Sequence, residues 1–191
     1  MKKLVLVAAL FALAAPVHAQ TTAPAPASPK NAAQGTVSAA TKKFVTDAAM
    51  TDMFEIRAGQ LALRKADTPA FQDLAGMTIA DHTKTSQQLK QMASSLQGMQ
   101  LPLDLDSAHK AKVDKLSSLS GAAFERQYKS DQVAGHKQAV EMFETYAKSG
   151  DNAELKSWAA QTLPTLKTHL QHAEALPNPQ SAPTTGSGMR K

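Results

Sequence analysis

Four long stretches of this chain repeat apolar residues at the three-and-four spacing of an amphipathic helix. The first runs from about Ser38 to Ala66, with Phe44, Ala48, Thr51, Glu55, Ala58 and Ala62 along its buried stripe and Lys43, Arg57, Gln60 and Arg64 opposite. The second runs from Thr68 to roughly Gly98, with Phe71, Ala75, Thr78, His82, Leu89, Ala93 and Leu96 on one face. Tyr128, Gln132, His136, Ala139, Val140, Phe143 and Ala147 line the third, from Ala122 to Ser149. Leu155, Trp158, Ala159, Thr162, Leu166, His169, Ala173 and Leu176 line the fourth, from Ala153 to Leu176. Such broad apolar faces pack together in bundles.

The punctuation between these stretches sets the topology. Asp67-Thr68-Pro69 stops one helix and starts the next, because proline is favoured at a first helical position and threonine can cap it. So short a link makes the first two helices antiparallel neighbours. Gly150 ends the third helix, and Asp151 or Asn152 can cap the fourth. Gln100 to Gly121 forms the long connection, where Leu101-Pro102-Leu103-Asp104 breaks the helix and Ser107 to Leu119 predicts a short extra one. Pro164 removes one backbone hydrogen bond inside the fourth helix and predicts a kink before His169. No alternating strand pattern competes, so the expected fold is all-α: an antiparallel four-helix bundle with a short extra helix in its long connection.

Each stripe carries an ionisable residue at its centre: Glu55, His82, His136 and His169. Counting from Asp67, Glu55 is 12 residues away and His82 is 15. At about 1.5 Å per residue they differ in height by roughly 4.5 Å. Counting from the Gly150 link, His136 and His169 differ by roughly 6 Å on the same rise. All four side chains therefore fall in one layer of a bundle.

Three imidazoles and one carboxylate form a donor set for a divalent transition metal: Zn, Cu, Mn, Ni or Fe. His172, three residues after His169, is a further donor or supporting partner. Tyr128, Gln132, Thr51, Thr78 and Thr162 carry groups able to orient the ligands by hydrogen bonding. The same residues also suit a closed polar network that fixes helix register and binds nothing. A di-iron centre fits poorly: its Glu-x-x-His pairs are missing, since Ile79, Val133 and Leu166 stand three residues before the histidines. Met50, Met53, Met77, Met92, Met99 and Met142 form no tight cluster with them and read as core filling or surface.

Composition narrows the rest. The chain has 191 residues, a formal charge of +5 and no cysteine. Thiolate metal sites, Fe–S clusters, disulfides and cysteine nucleophiles are thereby excluded. The basic residues are scattered among carboxylates without interleaved aromatics, so nothing points to nucleic acid. No nucleophile elbow, catalytic triad or phosphate-binding glycine loop is present.

Met1 to Ala19 has a basic start, an apolar run from Leu4 to Ala15 and a Val17-His18-Ala19 cleavage pattern, which predicts a cleavable signal peptide. The apolar run is too short to span a bilayer. Export to a periplasm is expected, with no transmembrane segment in the mature chain. No cysteine follows the cleavage site, which excludes a lipid anchor there. Residues 20–37 are expected to be an Ala/Pro-rich disordered tether. Residues 38–176 would then be the bundle domain, and residues 177–191 a disordered tail.

Several motifs together resemble a known family. They are Phe44-Val45-x-x-Ala48-Ala49 leading into Glu55-Ile56-x-x-Gly59-Gln60-Leu61-Ala62, then Asp81-His82-Thr83, then Phe124 and Tyr128 before Gly135-His136, and Leu163-Pro164-x-Leu166-x-x-His169-Leu170. They are similar to the exported bacterial family called domain of unknown function 4142, grouped with ferritin-like four-helix proteins. The resemblance covers roughly Ala40 to Leu176. It implies an antiparallel bundle, a periplasmic location or a loose outer-membrane association, and no established activity. Glu55, His82, His136 and His169 stand at the family's characteristic positions. Two functions follow: a periplasmic metal-binding bundle in metal handling or stress defence, or a non-enzymatic envelope protein whose polar core is structural and whose surface binds a protein partner. An enzyme is the weaker third reading, because no substrate path is visible in the sequence.

Overall fold

The computed structural model describes residues 36–179, and the expected signal peptide, most of the tether and most of the tail lie outside them. Within these residues the chain is all helical. Its elements are α1 (Ala39–Lys65), α2 (Pro69–Ser94), α3 (Ser107–Ser118), α4 (Gly121–Ser149) and α5 (Ala153–Ala175). The four long helices form the bundle, and α3 is the extra helix of the long connection.

Contacts at the ends give the directions. Thr41, at the start of α1, hydrogen-bonds both Tyr146 near the end of α4 and Asp151 beyond it. At the other end, Lys65 donates to the carbonyls of Ser117 and Leu119 at the close of α3. The α1–α2 turn meets the start of α4 there: Glu125 accepts from the backbone N–H of Asp67 and Thr68 and from the Thr68 hydroxyl. The long connection thus returns the full length of the bundle, and α2 and α4 run the same way on opposite corners. Every neighbouring pair of long helices, α1 with α2, α1 with α4, α2 with α5 and α4 with α5, is antiparallel. One long crossover between two hairpins is the ferritin-like arrangement.

Some boundaries differ from expectation for local reasons. The second helix ends at Ser94 rather than near Gly98. The Ser94 hydroxyl donates to the Gln91 carbonyl at 2.6 Å, and Gly98 turns with φ +75°. Serine hydroxyls bonded to nearby carbonyls compete with helix propagation. Thr68 starts α2 without a side-chain cap, because its hydroxyl is spent on Glu125. Asn152 caps α5 by accepting from Leu155 N–H. Gly150 closes α4 with φ −56°, not in the left-handed region. Glycine is needed there for space, since a Cβ would meet the Tyr146 ring at 2.5 Å and the Tyr146 carbonyl at 2.6 Å. Pro164 sits inside α5, which continues through it.

The apolar core is divided. One half gathers Phe44, Leu89, Phe143, Leu155, Trp158 and Leu166. The other gathers Phe54, Phe71, Leu74, Leu116, Phe124 and Tyr128. Between them, along every long helix, lies a layer of buried polar residues: Asp52 and Glu55, Thr78 and His82, Gln132 and His136, and His169. No described helix is long and apolar enough to cross a membrane.

Candidate metal centre

Each of the four expected residues lies in this polar layer, 1–2% exposed. Helical phase alone accounts for that, since each occupies a position whose neighbours one turn away are apolar. Convergence is a separate matter. One ring nitrogen from each of His82, His136 and His169 lies within 4.8 Å of the others. Ring centroids are 5.7 Å apart for His82 and His136, 5.5 Å for His82 and His169, and 5.3 Å for His136 and His169. The three rings form a triangle on α2, α4 and α5.

Every ring is anchored through one nitrogen. His82 Nδ1 is 2.8 Å from Asp52 Oδ1. His136 Nδ1 donates to its own helix, at the Gln132 carbonyl, 2.9 Å away. His169 Nε2 is 2.9 Å from Asp81 Oδ2. The remaining nitrogens, His82 Nε2, His136 Nε2 and His169 Nδ1, are buried without a hydrogen-bond partner. A carbonyl or carboxylate takes the N–H of each ring, so the other nitrogen of a neutral imidazole presents a lone pair. This is the arrangement in which metal-ligating histidines are held, with the outer N–H bonded to an acceptor that sets tautomer and orientation.

Glu55 stands behind His136 and outside the triangle. Its Oε1 is 4.0 Å from His136 Nδ1, on the anchored side of that ring. Its Oε2 accepts a 2.6 Å hydrogen bond from Gln132 Nε2. Gln132 therefore links the carboxylate to the ring, holding Glu55 through its amide and His136 through its carbonyl.

The other residues named from sequence fall differently. His172 is exposed, because a step of three residues turns it by roughly 60° from His169 on a helix. It joins neither the triangle nor its supports. The Thr78 hydroxyl bonds to the Ala75 carbonyl of its own helix at 3.1 Å, and Thr51 likewise to Asp47. The Tyr128 hydroxyl is buried without a partner. Burial first, and the charge of Glu55 second, raise its pKa and keep it protonated.

Two anchors were not evident from the stripes. Asp52 lies 15 residues before Asp67, and His82 lies 15 after it, so the height count that matched Glu55 to His82 matches Asp52 better. Asp81 is half-exposed at the edge of its helix and reaches His169 across the α2–α5 seam, which only the tertiary arrangement brings together.

Electrostatics favour neutral rings at two corners. Burial pushes His169 down to about 4, against its hydrogen bond to Asp81. Burial also lowers His136, opposed by Glu55. At His82 burial acts downward too, but the hydrogen bond and charge of Asp52 outweigh it and leave the pKa raised. Burial raises Asp52 itself, against the hydrogen bond and charge of His82.

Three nitrogens bonded to a tetrahedral ion at about 2.0–2.1 Å are roughly 3.3 Å apart. The ring nitrogens, within 4.8 Å of one another, must therefore draw together by up to about 1.5 Å to grip such an ion, a shift within reach of small χ rotations. The donor set fits borderline divalent metals.

Among solved structures, a crystal structure of a DUF305 fragment from Deinococcus radiodurans is similar, with a TM-score of 0.64 and 18% identity over 73% of this chain and 96% of that one. CopM in its Cu(II)-bound form is also similar, with a TM-score of 0.60 and 17% identity over 70% of this chain and 92% of that one. At these identities the likeness is one of fold. No curated protein matches by sequence. The family described as Domain of unknown function (DUF4142) matches residues 26–176. With that match spanning most of its length and the whole bundle, this chain belongs to the DUF4142 family.

Proposed function

We propose that this protein is an exported metal-binding bundle that holds one divalent transition ion through His82, His136 and His169. One observation carries the reading. Three buried imidazoles converge, each anchored through one nitrogen and each leaving the other without a partner. A purely structural network would pair those nitrogens, since a buried polar atom left unmade costs about 1–3 kcal/mol. A metal ion satisfies all three at once.

Glu55 supplies negative charge beside the rings and becomes a fourth donor by changing rotamer away from Gln132. Copper is the first ion to test, because imidazole suits it and a protein of similar fold is described in a Cu(II)-bound form. The role is metal handling or stress defence in the periplasm. The localisation rests on the signal-like Met1–Ala19 segment, and mass spectrometry of the periplasmic fraction should find a chain starting at Gln20.

The deciding experiment is calorimetric titration of untagged apo-protein with Cu(II), Zn(II) and Mn(II). One ion should bind per chain. His82→Ala and His136→Ala should each weaken binding sharply, and His109→Ala should not. A wild-type protein that binds no ion, yet loses stability with each substitution, would establish a structural polar core instead.

A further inference from the structure

A groove of about 880 Å³ runs between α1 and α4, from Ser38 and Asp151 at one end to Asp106, His109 and Lys112 of the α3 region at the other. Its wall includes Glu55 and Gly135, and Glu55 Oε1 lies 4.0 Å from His136 Nδ1. Gly135 has no side chain there, and an added Cβ would stand 3.4 Å from Glu55 Oε1. Gln132 occupies Oε2, so Oε1 is the oxygen turned toward Gly135 and the groove. Other donor groups line the way in: the carboxylates of Asp47 and Glu141 and the thioethers of Met50 and Met142.

We propose that the α1–α4 groove is the path by which a transition-metal cation enters and leaves the histidine triangle, with Glu55 Oε1 as its last carboxylate. This inference rests on the metal-binding reading above. Glu55 then draws the cation out of water and hands it to His136 and its partners. Thr51, one turn before Glu55 and also on the groove wall, is the point at which to close the path.

The test compares wild type, Thr51→Val and Thr51→Phe, mixing apo-protein with Cu(II) or Zn(II). Quenching of the single tryptophan, Trp158, follows Cu(II), and a chromogenic competitor follows Zn(II). Thr51→Phe should slow both loading and release at least tenfold while the dissociation constant stays within threefold. Thr51→Val should load at the wild-type rate. Gly135→Ala, which narrows the path from the α4 side by one methyl group, should slow loading about threefold and serves if the phenylalanine variant does not fold. Unchanged rates in folded variants would overturn the path and leave the binding site standing. A changed affinity with an unchanged release rate would also overturn it, because the residue would then act on the ligands. Failure of wild type to bind either ion is a different result, and it removes the metal reading itself.

Discussion

His82 and Asp52 meet across the α1–α2 hairpin at 2.8 Å, Nδ1 to Oδ1, with both side chains almost fully buried. Thr85 donates to the same carboxylate oxygen at 2.9 Å. The contact fixes which His82 nitrogen is available to an ion. Asp52→Ala should lower metal affinity roughly 10–100-fold, the usual effect of losing such a support. It should also cost about 1–3 kcal/mol in the apo-protein, from the stranded N–H. Asp52→Asn keeps an acceptor and should retain most of the affinity. Competition titrations and urea unfolding of both variants check this, and an alanine variant with wild-type affinity would deny Asp52 that role.

Acid should destabilise the apo-protein. The pKa of His169 falls from 6.5 to about 4 on folding, chiefly through burial. Between those values the unfolded chain binds a proton that the native one does not. The contribution of His169 to stability is therefore greatest above pH 6.5 and declines as the pH falls toward 4, by on the order of 3 kcal/mol, while His82, raised on folding, acts in the opposite direction. His136, also lowered by burial, acts in the same direction as His169. Urea unfolding at pH 7, 5.5 and 4 should show the decline, and His169→Phe should flatten it. A His169→Phe profile as steep as wild type would assign the effect to other groups.

Phe143 packs between Phe44 and Trp158, with ring centroids at 5.1 Å and 5.3 Å. It is buried in the apolar half that contains the only tryptophan. Phe143→Ala should cost about 3–5 kcal/mol. Metal stoichiometry of the folded variant should stay at wild type, since the ring lies outside the polar layer. The midpoint of urea unfolding measures the first, and titration the second.

Glu125 closes the end of the bundle farthest from Thr41. Its carboxylate accepts two backbone N–H groups and one hydroxyl of the α1–α2 turn, at 2.7–3.0 Å. Glu125→Ala should destabilise by about 3 kcal/mol, because hydrogen bonds to a charged acceptor are stronger than neutral ones. Glu125→Gln keeps one oxygen acceptor and should lose about half as much. Faster amide exchange confined to Asp67 and Thr68 would mark the turn as the place affected.

The helices themselves were legible from residue order. Apolar spacing, Pro69, Asn152 and the breaks near Gln100 are local signals, and local signals fix where helices begin, end and turn their apolar side. Burial of Glu55, His82, His136 and His169 followed from the same periodicity. The overlong second helix was a local error, since Ser94 and Ser95 compete with propagation by bonding back to Gln91. His172 was misplaced because a step of three residues is close to, yet short of, a full turn.

Other features depend on which helices touch. Asp52 shares a hairpin with His82, so counting from Asp67 was enough in principle to pair them. Asp81 and His169 are 88 positions apart, and their meeting required the long connection to run back along the bundle. That direction is set by packing and end contacts, such as Thr41 with Tyr146 and Glu125 with Thr68, and no local pattern encodes it. Convergence was also a tertiary matter. Phase and height place four polar groups in one layer, but side-chain reach and hydrogen bonding decide which of them meet. The Gln132 amide holds Glu55 aside, while Asp52, the Gln132 carbonyl and Asp81 turn three rings so that one nitrogen of each stays unbonded. Sequence alone determined the helices and the burial of their polar centres, because both are properties of a single helix. The tertiary structure decided the triangle, since rotamers and partners are chosen only when helices distant in the chain pack together.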